Sequence, residues 1–83
     1  MTRPEILQLR GQLAVNKKRL NDLTLEAAGL IVLIRTLLPP YEDDITRLEV
    51  PKAAQNMARL SRIHAEIVPL KKTIAEMESD LDG

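Results

Sequence analysis

Apolar residues recur at alternating intervals of three and four along two stretches of this chain. In the first, Ile6, Leu9, Leu13, Asn16, Leu20, Leu23, Ala27, Leu30, Ile34 and Leu37 trace one stripe of an α-helix, with Asn16 the polar exception. In the second, Ala53, Asn56, Leu60, Ile63, Ile67, Leu70, Ile74, Met77 and Leu81 do the same, with Asn56 the exception. Two such stripes predict an all-α protein, an antiparallel two-helix coiled-coil hairpin with its seams face to face. The expected elements are helix 1 at about 3–38, a turn and short helix at about 39–50, and helix 2 at about 52–81. The whole of 1–83 is then a single helical-hairpin domain.

Punctuation residues support those limits. Thr2 and Glu5 have the spacing of a capping box, and Pro4 suits a first helical turn, where its missing N–H matters least. Pro39-Pro40 ends the first helix, because a proline disfavours helical geometry in the residue before it. Between the arms, Ile45 and Leu48 are three apart and Glu42, Asp43 and Asp44 suit a helix start, so helix is expected there too. It either runs into the second arm with a kink at Pro51 or forms a separate short segment. Pro69 falls inside a strongly periodic stretch and predicts a kink without a break.

A register follows from matching the seams. Leu13 with Leu70, Leu20 with Ile63, Leu23 with Leu60 and Leu9 with Ile74 each have indices adding to 83, which centres the turn near residues 41–42. That register sets Gly11 and Gly29 each within about a helical turn of a proline, Pro69 or Pro51, where a missing side chain would accommodate a kinked partner helix.

The seam does not absorb all the apolar residues. Leu25, Ala28, Ile31, Val32, Leu33 and Leu38 lie off it, and from Ala27 to Ile34 the first helix is apolar on every face. A helix apolar all round is normally buried all round. Burying one Leu, Ile or Val side chain is worth roughly 1.5–3 kcal/mol, so leaving Ile31, Val32 and Leu33 wet is a large loss for a small domain. These six residues are therefore the expected oligomer interface, with two hairpins packing as a dimeric four-helix bundle. Asn16 and Asn56 are the candidates for polar seam residues that set register.

Composition narrows the remaining options. The 83 residues contain no cysteine, so neither disulfides nor thiolate metal ligands can staple a small core, leaving helix packing and association. Tyr41 is the one aromatic residue. Acidic and basic side chains number twelve each, which lacks the basic excess of a dedicated nucleic-acid binder. The first arm carries more basic than acidic residues and the second the reverse, so the arms should attract. The N-terminus has no apolar signal-peptide core, and the apolar run Ala27–Ile34 is far short of the roughly 20 residues of a membrane span. A cytoplasmic chain without a membrane segment is expected.

Candidate chemistry is sparse. His64 stands alone and has no second histidine for a metal pair. Glu42, Asp43 and Asp44 lack the spacing of a calcium loop, and helix-start electrostatics account for them. No catalytic, cofactor or metal residue is assigned. The reading is a small non-enzymatic coiled-coil scaffold or adaptor, acting through homo-oligomerisation or a heterologous protein partner. Its size and plainness suit an accessory protein of a phage or mobile element. One alternative is weak nucleic-acid association through Lys17, Lys18 and Arg19, against which consecutive helix positions point to different faces and Asp22 follows Lys18 at i+4. The other is a small enzyme resembling the all-helical chorismate mutases in architecture. Arg10, Lys17, Lys71 and Lys72 would have to supply its anion-binding cations, and that family's characteristic residues are not recognisable here.

Overall fold

Leucine, alanine, lysine, arginine, glutamate and glutamine fill both periodic stretches, and these residues lose little freedom on entering a helix. A computed structural model describes residues 3–82 of the chain. It contains α1 (Arg3–Leu37), a single 3₁₀ turn (Ile45–Arg47) and α2 (Val50–Asp82). The two helices pack against each other in an extended antiparallel hairpin about 64 Å long and 16 by 14 Å across. Thr2 of the expected capping box lies outside the described residues.

The seams are where periodicity places them. Leu23, Leu30, Leu37, Ala53, Ile63 and Ile74 are buried. Leu23, Leu30 and Ile63 form the central cluster, with Ala27, Leu60, Ile67 and Leu70 packed on it. The remaining seam members of both arms are half-buried. Core and seam coincide because two helices can cover only one stripe of each other.

α1 stops on schedule. The Leu38 N–H still donates to the Ile34 carbonyl at 3.0 Å, after which Pro39 and Pro40 offer no N–H to continue the ladder. The connection is less helical than its sequence suggests. Glu42 donates to the Pro39 carbonyl at 3.3 Å in a turn, and only Ile45–Arg47 close into a 3₁₀ segment. Asp44 caps that segment: its carboxylate accepts from the Thr46 N–H at 3.0 Å and the Thr46 hydroxyl at 2.7 Å. Those two bonds, the hydroxyl's first, hold the Asp44 carboxyl below the usual aspartate range. Asp44 caps this turn and the Glu42 carboxylate accepts from the Asp44 N–H at 3.1 Å, so these acids serve a capped turn; no α-helix starts there.

Of the two alternatives at the second arm, the structure has the split. The Glu49 N–H donates to the Leu37 carbonyl at 3.3 Å, tying the exit of the connection to the end of α1, and the Glu49 carbonyl accepts from Ala53 at 3.0 Å. Pro51 therefore occupies the first turn of α2, where a proline is tolerated. α2 runs unbroken through Pro69.

The register differs from the expected one. Arg19 with Glu66 and Glu26 with Arg59 have indices adding to 85, Leu37 with Glu49 to 86, and Asn16 with Met77 to 93. All exceed 83, because the connection uses residues 38–49 and so moves the turn toward the C-terminus. The glycine–proline packing does not occur either. A methyl group built on Gly11 or Gly29 would meet nothing within 4 Å, so neither glycine makes room for a kinked neighbour.

Candidate interaction surface

Covering one stripe of α1 leaves a second one bare. Leu25 lies two residues from both Leu23 and Ala27, and Val32 two residues from both Leu30 and Ile34, so each projects about half a turn from the seam. Both are 64% exposed. Ala28, three residues from Leu25 and four from Val32, completes the stripe and is also exposed. Ile31 and Leu33 flank it, at 38% and 43% exposure. Leu38, the sixth member of the expected interface, is half-buried within the chain's own turn. The stripe continues at the same spacing to Lys18 at one end and Arg35 at the other, which frames an apolar patch with charge.

The connection extends this surface. Val32, Arg35 and Thr36 of α1 and Pro39, Pro40 and Tyr41 beyond it line an open depression of about 540 Å³. Tyr41 stands almost wholly exposed beside it, and Ile45 of the 3₁₀ turn is exposed as well. Tyr41, Pro39, Pro40 and Ile45 thus join a surface that the surplus apolar residues of α1 alone do not include. The one available signal was apolar residues in a connection, where polar ones are the rule.

The two seam asparagines are placed differently. Asn16 sits half-buried near the open end, and its Nδ2 reaches Met77 Sδ on α2 at 3.3 Å. Asn56 donates to its own helix, at 2.9 Å from the Lys52 carbonyl. Of these two asparagines, Asn16 is the one whose side chain bonds across the arms.

Each member of the basic run faces an acid. Lys17 lies 3.6 Å from Glu78, Lys18 lies 3.3 Å from Asp22, and Arg19 donates to Glu66 at 2.8 Å. At the open end a second depression of about 590 Å³ is lined by Gln8, Gly11, Gln12, Val15, Asn16, Thr73 and Met77, with no charged side chain among them. His64 is exposed on α2. Among the described residues, no group of three or more His, Cys, Asp or Glu side chains is placed to hold a metal ion, and no helix is long and apolar enough to cross a membrane.

Comparison with protein-family models, with curated proteins and with solved structures found no match to this chain.

Proposed function

We propose that this chain is a non-enzymatic helical scaffold that works by self-association through the turn-proximal apolar stripe of α1. One observation carries the reading: Leu25 and Val32 stand 64% exposed, with Ala28 between them and Ile31 and Leu33 alongside, on a domain whose own core is a single seam. An apolar patch framed by charge is the usual signature of a protein-binding surface. A symmetric pair of hairpins is the simplest closed assembly that covers it.

The alternatives have less support. A phosphate-binding patch needs free cations, and Lys17, Lys18 and Arg19 each have a carboxylate partner. An anion-binding active site needs convergent cations in a recess, and the open-end depression is lined by amides and apolar groups.

Sedimentation equilibrium at tens of micromolar tests the proposal. The expected result is a mass of at least twice 9.3 kDa, falling to the monomer mass in Val32→Glu. A monomeric wild type would overturn it, and so would a Val32→Glu variant that keeps the assembled mass.

A further inference from the structure

The stripe has a centre and two charged ends, which constrains how a second copy can lie on it. Leu25 and Val32 are equidistant from the point midway between Ala28 and Gly29. At about 1.5 Å per residue, Lys18 lies about 16 Å from that point toward the open end. The end of α1 lies about 13 Å from it on the other side, with the Pro39–Asp44 connection just beyond. The connection also folds toward the stripe, since Pro39, Pro40 and Tyr41 share a depression with Val32 and Thr36.

We infer that the occupant of this face is a second copy of the chain, its α1 antiparallel to the first across a two-fold axis at Ala28–Gly29. This rests on the self-association reading above and adds the orientation and the contacts. In that arrangement Leu25 of each copy enters the depression of the other, over Val32 and against Pro39–Tyr41. The small residues Ala28 and Gly29 meet at the axis, where open space around Gly29 lets two backbones approach.

Charge selects this orientation over the parallel one. Lys17 and Arg19 are held by α2 of their own hairpin, whereas the Lys18 side chain is 80% exposed and, among the described residues, paired with Asp22 one turn away. Asp43 is exposed and forms no ion pair within the described residues. The antiparallel two-fold sets Lys18 of each copy level with Pro39 of the other, where the connection that carries Glu42, Asp43 and Asp44 begins, and sets Arg35 level with Asp22. A parallel pair stacks lysine beside lysine and acid beside acid, which is repulsive. The antiparallel dimer thus gives a role to the exposed cation, the acidic connection and the bare stripe together.

Reversing one charge at a time tests it. Lys18→Glu and Asp43→Lys should each weaken the dimer by about tenfold or more, because each places like charges together twice. An equimolar mixture of the two variants should regain wild-type affinity, since in the mixed dimer both contacts are again opposite in sign. Circular dichroism of each variant checks that the hairpin itself is intact. A dimer that Val32→Glu dissociates but neither reversal weakens would overturn the antiparallel arrangement and leave self-association standing. Weakening by both variants without rescue in the mixture would also overturn it. A monomeric wild type would remove both.

Discussion

Arg19 on α1 donates to Glu66 on α2 at 2.8 Å, and seven residues along each helix the same flank carries the pair with its signs exchanged, Glu26 with Arg59. The exchange penalises sliding. Moving α2 by one heptad in one direction would set Arg19 against Arg59, and in the other Glu26 against Glu66. Each slip creates a like-charge contact where the native register has an attraction. Two alternating pairs thus discriminate between registers that the apolar seam alone leaves nearly equivalent.

The energy involved is modest, because these side chains are about half exposed and surface pairs contribute roughly 0.2–1 kcal/mol. Arg19→Glu should lower the unfolding free energy, and adding Glu66→Arg should restore most of the loss. A double-mutant cycle by urea denaturation measures the coupling, expected below about 1 kcal/mol and smaller at high salt. A coupling of zero at low salt would deny the pair any part in register.

The seam itself was legible residue by residue, since burial follows the three-four pattern through both arms, from Ile6 to Leu37 and from Ala53 to Leu81. Register was not. A heptad pattern slid by seven residues matches itself, so pairing Leu20 with Ile63 satisfied the same rule as any slide by a heptad. What decides between them is the length of the connection and flanking charges such as Glu26 and Arg59, neither of which enters a seam count. The connection was misjudged for a related reason. Acidic residues at 42–44 favour any N-terminus, and Asp44 caps a 3₁₀ turn as readily as an α-helix. Of the candidate surface, Leu25, Ala28 and Val32 were readable as surplus to the seam, whereas Tyr41 joins them only because the chain folds back after Pro39.

Core truncation should be severe. Leu23 is 4% exposed and Ile63 is 6% exposed, and each packs in the central cluster. Removing most of such a side chain typically costs about 2–5 kcal/mol, through lost burial and the cavity left behind. A single-seam hairpin has little stability to spare. Leu23→Ala or Ile63→Ala should abolish the cooperative thermal transition seen by circular dichroism, whereas Leu7→Ala, at a 67% exposed position of the same helix, should leave it nearly unchanged.

Two helix positions work against the fold and should be improvable. Pro69 is exposed in mid-α2, where it removes one ladder hydrogen bond, and Gly11 is exposed in mid-α1 with open space where a methyl group would go. Pro69→Ala should stabilise by up to about 3 kcal/mol and Gly11→Ala by about 1 kcal/mol. Gains of that sign in denaturant midpoint, additive in the double variant, are expected because a methyl group at Gly11 meets nothing on α2. A loss on Pro69→Ala would mean that the proline sets a bend the seam depends on.

The Asp44 cap makes a pH-dependent prediction whose sign is fixed by its hydrogen bonds. Its carboxyl is held below the usual aspartate range by the Thr46 hydroxyl and then the Thr46 N–H, so the folded connection favours the ionised form. The stabilising contribution is complete above the ordinary aspartate value and is lost as pH falls through the lowered one. Thr46→Val removes the hydroxyl donor while keeping the backbone donor, and should move the Asp44 titration upward without returning it fully to the ordinary value. Carbon-detected NMR titration of the side-chain carboxyl measures both proteins directly. An Asp44 that titrates alike in wild type and Thr46→Val would show that the hydroxyl contact is not kept in solution, and the cap would then rest on the Thr46 N–H and the Arg47 ion pair.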